Sequence, residues 1–452
     1  METKFVATGG IMSVYTTRRR RLGRAIGEGA VALIPGAVLK TRNADNDYLF
    51  RQESGFYYLT GWNEPDALLL IEGGKRPRSI FFCAPNDPLA EIWHGKRAGV
   101  EGAKKAFGFD ETYSNEPEED VERALVGLVR KKAVIYCAHE RAYAVLPYLK
   151  KVIRRSRTEN PLQAITGKID HLIGEMRLIK DETEIALMRR AGLISARTHR
   201  EILSLVSPGM TEHELGAEIA YRFAKAGGHP HHAYPSIVAS GANACTLHYN
   251  ENAKKIADGD LVLVDAGCEL ECYASDITRT FPANGRFSDD QRAIYEIVLE
   301  AQKAALALAR PGIPFSLLGD TAAIVIVEGL MRLGIMPKGD PMKAIAEGLH
   351  RTFYPHGVGH YLGLDVHDVG DYQRNEGRRS ERKLESGMVI TVEPGIYIQP
   401  KTKDVDLRWH GIGVRIEDDV LITESGCEVL TALAPKEVAE IEEIMHHAQR
   451  RR

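Results

Sequence analysis

Apolar positions along this chain fall into two textures. Through the first third, short apolar runs alternate with turn signals. Ala30-Val31-Ala32-Leu33-Ile34 stops at Pro35-Gly36, Phe56-Tyr57-Tyr58-Leu59-Thr60 stops at Gly61, and Ala67 to Ile71 stops at Gly73-Gly74. Strand-like runs recur at 79–83 and 133–137, with a helical stretch over 117–130 between them. Strands alternating with helices predict an α/β domain. A basic stretch at 150–157 and Pro161 read as a linker, and the domain boundary is placed near 170–176.

Beyond it the pattern turns to long helices. Asp181 with Glu184 three residues later is a capping box opening a helix to about 205, with Ile185, Met188, Ala191 and Gly192 at helical spacing. Thr211 with Glu214 opens another helix to about 227. Ser288 opens a helix of about 20 residues before Pro311-Gly312, and one more covers roughly 316–334. Between and after these lie apolar strands that end on acids. Leu261-Val262-Leu263-Val264 ends on Asp265, and Met388 to Val392 ends on Glu393, where Pro394-Gly395 stops it. Gly411 to Asp419 alternates with period two, so Arg415 and Glu417 share a face. Asp418 and Asp419 read as a solvated strand end.

Ile277 to Phe281 starts just after Asp276. A hairpin turning at Leu270-Glu271 sets Asp265 opposite Asp276. Like charges so placed repel, and buried carboxylates need a partner, a proton or a metal. A different register leaves both acids solvated.

Composition narrows the function. The 452 residues are 44% hydrophobic and 27% charged with net charge −3, so neither nucleic acid nor an anionic membrane is implied. No apolar run approaches the roughly 18–20 residues that span a bilayer. Six scattered cysteines form no paired zinc knuckle and suit a reducing, cytoplasmic compartment. Arg18-Arg19-Arg20-Arg21 is followed by Arg24 and Glu28, which rules out a twin-arginine export signal; the tract reads as an exposed basic helix turn, with a transit peptide as the other reading. Trp93 lies in a polar, exposed segment and reads as packing or function.

Histidine marks the chemistry. His229, His231 and His232 share one loop. His356, His360 and His367 lie within twelve residues, and Gly357 and Gly359 argue against a helical zinc motif there. Asp265, Asp276, Glu393 and Glu417 with one histidine make an oxygen-rich donor set for Mn²⁺, Co²⁺, Fe²⁺ or Zn²⁺. Four negative charges suit two ions, which at about 3.5–4 Å apart polarise a carbonyl and activate water.

At these motifs, DAGCELECYASDITRTFP, HGVGHYLGLDVHDVG, TVEPGIY and GVRIEDD, the sequence resembles the metal-dependent Xaa-Pro peptidases, aminopeptidase P and prolidase. The resemblance covers nearly the whole chain and implies an α/β N-terminal domain over 1–172, where Asp47-Tyr48-Leu49-Phe50-Arg51-Gln52 also matches, and an α+β pita-bread (creatinase/aminopeptidase-like) catalytic domain over 173–452. It implies two divalent ions, most often Mn²⁺, on Asp265, Asp276, His360, Glu393 and Glu417. His248 and His367 would meet the substrate and its tetrahedral intermediate, Glu393 would also shuttle the proton, and His356, Tyr397 and Arg415 would contact substrate or orient ligands. Trp93 matches a tryptophan that in some relatives reaches a neighbouring subunit's site, so a homodimer or homotetramer is expected. The leading expectation is an aminopeptidase releasing the residue before proline from a peptide. A prolidase restricted to dipeptides is the second reading, with Arg374, Arg378, Arg379 and Arg382 of the 371–386 loop as candidate carboxylate binders or simply a solvated loop. A non-catalytic binding module on the same fold is the third.

Overall fold

The computed structural model describes residues 9–129, 134–137, 163–166, 168–376 and 378–450. The linker expected at 150–161 lies outside them. The chain divides into two compact units, Met1–Arg177 and Leu178–Arg452.

The N-terminal unit is built on a six-stranded sheet. Its strands are β1 (Ala30–Pro35), β2 (Leu68–Glu72), β3 (Arg78–Cys83), β4 (Glu111–Ser114), β5 (Val134–Cys137) and β6 (Gln163–Thr166), in the order β4-β3-β2-β1-β5-β6. The pairs β1/β2 and β2/β3 are antiparallel and the outer pairs parallel. The central strands are buried on both faces, which explains their continuous apolar runs.

Two expectations fail here. The aromatic run 56–60 is a helix, Ser54–Thr60, because Glu53 accepts hydrogen bonds from the Gly55 and Phe56 amides and Gly61 closes it in the left-handed region. The cap and the left-handed glycine override the strand propensity of Phe and Tyr. The arginine tract is not uniformly exposed either. In α1 (Gly9–Ile26), Arg18 and Arg19 are buried, whereas Arg20 and Arg21 face solvent. Arg19 donates to the carbonyls of Leu59, Phe107 and Gly108 and lies over the Phe109 ring at 4.5 Å. Burial lowers its pKa to about 10.

The C-terminal unit carries the long helices α2 (Glu182–Ile202), α3 (Glu212–Lys225), α4 (Asp289–Leu308), α5 (Phe315–Arg332) and α6 (Val438–Gln449). The capping boxes at Asp181, Thr211 and Ser288 are all formed. Its strands are β7 (Ile237–Ser240), β8 (Leu261–Asp265), β9 (Glu269–Leu270), β10 (Tyr273–Ala274), β11 (Thr278–Pro282), β12 (Gln373–Glu376), β13 (Arg378–Glu381), β14 (Val389–Val392), β15 (Gly395–Tyr397), β16 (Gly413–Arg415), β17 (Asp418–Ile422) and β18 (Cys427–Val429). β8 lies between β7 and β11, and β17 lies between β14 and β18. Helix side chains such as Phe223, Ile294, Val298 and Leu330 pack with strand residues such as Val262, Val264, Ile390 and Val420 in one apolar core. The strand ends emerge from that core carrying the acids. The 371–386 loop contains an antiparallel ribbon, β12 with β13.

Candidate metal centre and active site

Two interrupted hairpins supply the carboxylates. In the first, Asp265 pairs with Thr278, and Leu270 with Tyr273. The turn is Glu271-Cys272, both at positive φ, 51° and 66°. It lies one residue beyond the expected position, so Asp276 is diagonal to Asp265 rather than opposite. The pairing therefore moves by two residues, which keeps both acids on the same face. Positive φ at a two-residue turn ordinarily calls for Gly, Asn or Asp, so Glu-Cys left no turn signal. The two aspartates meet at Tyr234, whose Oη is 2.5 Å from Asp265 Oδ1 and 2.6 Å from Asp276 Oδ1.

In the second hairpin, Val392 pairs with Asp418 and Gly395 with Arg415. The same register runs through β14/β17 and β15/β16, and Glu393 and Glu417 fall opposite each other in the gap between them. Pro394 has no amide to donate there. Arg415 and Glu417 both reach the same cavity, but β16 ends before Glu417.

His360 comes from the segment beside β14. Its amide donates to Thr391 Oγ1 at 3.0 Å, and the Thr391 amide donates to its carbonyl. Its Nδ1 lies 2.9 Å from the Tyr361 carbonyl, which puts a proton on Nδ1 and makes Nε2 the nitrogen that would serve a metal. That Nε2 is 3.3 Å from Asp276 Oδ2 and 3.5 Å from Glu393 Oε1. Donor atoms of Asp276, His360 and Glu417 lie within 4.8 Å of one another.

Four carboxylates thus face one permanent cation among the residues lining the cavity, Arg415. Arg415 donates to Asp265 Oδ2 at 2.5 Å, to Tyr397 Oη at 2.9 Å and to Thr278 Oγ1 at 3.0 Å. Burial raises the pKa of Asp265, lifts Glu393 to about 7 and, with Asp276, Glu393 and Asp265 nearby, pushes Glu417 well up. For His360 burial works against charge, but Asp276 and Glu393 outweigh it and raise the imidazole to about 9. The Tyr234 hydroxyl has a single proton for two carboxylates. This negative, oxygen-rich set with one imidazole fits divalent cations.

The remaining predicted residues have distinct places. Tyr397 Oη accepts from Arg415 and lies 2.8 Å from His356 Nε2, whose ring also bonds the Gly357 carbonyl through Nδ1. Burial lowers the His356 pKa to about 4, so the ring is neutral. His367 stacks edge-on against His360, with ring centroids 4.4 Å apart. Burial, with His360 beside it, lowers its pKa. His248 lines the same cavity of about 440 Å³, along with Pro235, Ile237, Leu247 and Val366. Trp93 belongs to the N-terminal unit, on the helix Pro88–His94, and is 83% exposed.

Asp418 and Asp419 are buried, contrary to the expected solvated strand end. Asp418 accepts from Arg279, Lys436, Gln302 and Thr431 at 2.6–3.0 Å. Burial alone would raise its pKa, but Arg279 and Lys436 bring it below the ordinary value. Asp419 accepts from the Asp276 amide at 3.0 Å. Of the arginines singled out in the 371–386 loop, Arg382 is buried and does not line the cavity; the side chains of Arg374, Arg378 and Arg379 lie outside the described residues. The sequence reading missed Tyr234 and singled out its neighbours His229, His231 and His232 instead, none of which lines the cavity. A lone tyrosine carries no periodic or spacing signal, and its partners are 31 and 42 residues away.

Residues 186–424 match metallopeptidase family M24, and residues 15–136 match the N-terminal domain of aminopeptidase P. The chain is 43% identical over 442 residues to the Xaa-Pro aminopeptidase of Escherichia coli, covering 96% of this chain and 98% of that one. It is 38% identical over 409 residues to Xaa-Pro aminopeptidase 3 of Rattus norvegicus, covering 88% and 78%. The solved structure of Pseudomonas aeruginosa aminopeptidase PepP matches with a TM-score of 0.91 and 44% identity, covering 97% of this chain and 99% of that one. That of E. coli aminopeptidase P with the inhibitor Pro-Leu matches with a TM-score of 0.90 and 42% identity, again covering 97% and 99%.

Proposed function

The chain belongs to metallopeptidase family M24, and on that premise we propose that it is an Xaa-Pro aminopeptidase, a metallo-exopeptidase that releases the first residue from peptides with proline second. The observation that carries this reading is the convergence of four carboxylates and the His360 imidazole on a cavity where Arg415 is the one permanent cation among the described residues. Asp265, Asp276, His360, Glu393 and Glu417 would hold two divalent ions, with Mn²⁺ the proposed metal. Bound there, the metal supplies a Lewis acid for the scissile carbonyl and lowers the pKa of water.

The chain's own groups do the rest. Glu393 takes the proton of the attacking water on its carboxylate and delivers it to the leaving proline nitrogen. His248 and His367 donate hydrogen bonds to the oxygen that becomes negative as the carbonyl is attacked. Arg415 holds Asp265 by its Nη2 and Tyr397 by its Nη1, and Tyr397 in turn holds His356. That chain of bonds fixes one wall of the cavity. A proline nitrogen in peptide linkage has no N–H for the site to bond, so the ring is recognised by shape. Discrimination of that kind amounts to roughly 1–3 kcal/mol. The inhibitor of the E. coli relative, Pro-Leu, is what an Xaa-Pro-Leu tripeptide leaves when its first residue is removed.

The helix Pro88–His94 exposes Leu89, Ile92 and Trp93 together. We assign that apolar face to a contact between copies of the chain in a homodimer or homotetramer, which light scattering would check. No helix among the described residues is long and apolar enough to cross a membrane.

The central test is release of glycine from Gly-Pro-Leu by protein loaded with Mn²⁺, before and after chelation. Activity that persists in metal-stripped protein, or an internal rather than terminal cut, would refute the reading.

A further inference from the structure

His248 sits on the segment between β7 and β8, and no hydrogen bond to its ring occurs among the described residues. Its position therefore depends on what holds that segment. The holding group is a fully buried carboxylate, Glu212, in the first turn of α3. Glu212 Oε1 accepts from the Ser240 amide at 2.7 Å, from Ser240 Oγ at 2.8 Å and from Asn243 Nδ2 at 3.1 Å. Glu212 Oε2 accepts from Tyr249 Oη at 2.8 Å and from the Lys254 amide at 2.8 Å. The Glu212 amide donates back to the Lys254 carbonyl at 2.9 Å.

The five donors bracket His248. Ser240 is the last residue of β7, fixed by its pairing with β8. Lys254 lies on the return of the segment, and Tyr249 is the residue next to His248. One carboxylate thus ties the fixed beginning, the residue adjoining the histidine and the far end to a single point. The chemistry calls for Glu in particular. Each oxygen accepts a backbone N–H, so both must be acceptors. A glutamine of the same shape would turn an amide NH₂ toward one of those N–H groups, leaving two donors facing each other in a buried place. The positive end of α3 further favours an anion at this position.

We infer that Glu212 is a positioning residue that acts through His248, holding the 240–254 segment so that the imidazole faces the reacting carbonyl. This rests on the reading of His248 as a substrate-facing donor. Displacing a catalytic group by about 1 Å costs on the order of 10²-fold.

The test is a double-mutant cycle on Mn²⁺-loaded protein with Gly-Pro-Leu, using Glu212→Gln, His248→Ala and both together. Metal content and the folded fraction are measured for each, and turnover is expressed per folded, loaded molecule. Glu212→Gln is expected to lower kcat roughly 10–100-fold at unchanged metal content, and the double variant to be no slower than His248→Ala alone. A purely structural role would reduce the folded fraction but leave kcat per folded molecule unchanged, and this result would overturn the inference. So would multiplicative losses in the double variant. If His248→Ala itself turns over normally, the role of His248 fails and this inference with it; if His248→Ala is impaired while Glu212→Gln is not, this inference alone fails. Should Glu212→Gln not fold, Tyr249→Phe removes the bond to Glu212 beside His248, together with a long 3.5 Å contact from the Ala253 amide. A severalfold fall in kcat that vanishes in the His248→Ala background supports the inference, and an unchanged kcat overturns it.

Discussion

Glu393 and Glu417 stand opposite each other where one antiparallel register, running from Val392/Asp418 to Gly395/Arg415, is interrupted. Two carboxylates in that relation, Glu417 buried and Glu393 half-buried, cannot both ionise without repulsion, and they oppose folding until a cation lies between them. Metal should therefore act on stability as well as rate. Divalent ion at a hundred times its dissociation constant should add about 2.7 kcal/mol, seen as a rise of several degrees in Tm on titration. Glu417→Gln should give opposite signs in the two states, raising Tm in metal-free protein and abolishing the metal-dependent rise. Calorimetry on both forms of both proteins checks this, and equal shifts with and without metal would contradict it.

His367 and His248 line the cavity without being assigned to the metal. Replacing either by Ala should lower kcat by about 10²–10³, the usual cost of losing one donor to an oxyanion. Metal content by mass spectrometry should stay at the wild-type level. A His367→Ala protein that binds no metal would reassign His367 as a ligand.

Lys180 Nζ lies 3.1 Å from Asp368 Oδ2, and both side chains are almost wholly buried. Asp368 follows His367, so the pair ties the histidine-bearing turn to the start of α2. Lys180→Met takes a cation away from a buried carboxylate and should cost about 3–5 kcal/mol, measured by denaturant unfolding of the metal-loaded protein. A loss below 1 kcal/mol would mean that other groups compensate Asp368.

His199 is fully buried on α2, with Nε2 2.9 Å from the Ala266 carbonyl. Burial lowers its pKa to about 4. Below pH 6.5 the unfolded chain takes up a proton at this residue that the native state refuses. Stability should therefore fall as pH drops from 6.5 toward 4, by up to about 3 kcal/mol from this group, and be insensitive to it above 6.5. His199→Gln should flatten that part of the stability profile. A slope unchanged in the variant would assign the acid sensitivity elsewhere.

Much of this site was legible because strands place acids with a fixed period. The Asp265/Asp276 turn lies one residue from its expected position, yet both acids keep their common face, since pairing moved by an even number of residues. The capping boxes at Asp181, Thr211 and Ser288 were readable because they are local. What escaped is long-range or conformational. Tyr234 finds its aspartates far along the chain, and Asp418 is buried because Arg279 and Lys436 come to meet it. Arg18 and Arg19 look like surface charge until the carbonyls of Tyr58 and Leu59 accept from them. The 56–60 run reads as strand unless the Glu53 cap is given its weight.

The preference between longer peptides and dipeptides turns on where a substrate carboxylate could be neutralised. A dipeptide presents that charge one residue beyond the scissile bond, inside the cavity. Among the described residues the cavity offers Arg415 as its permanent cation, and the Nε, Nη1 and Nη2 of Arg415 are engaged by Thr278, Tyr397 and Asp265. A free carboxylate there would also meet four acids. A longer peptide carries an amide at that point and places its carboxylate further out, while its added residues supply binding energy that the transition state can use. We therefore expect a higher kcat/KM on Gly-Pro-Leu or a tetrapeptide beginning Gly-Pro than on Gly-Pro itself, by tenfold or more, which corresponds to about 1.4 kcal/mol. Steady-state kinetics on the three substrates at saturating metal measures it. A higher kcat/KM on the dipeptide would make the chain a dipeptidase, and Arg374, Arg378 and Arg379 would be the first residues to replace in search of the cation that binds the carboxylate.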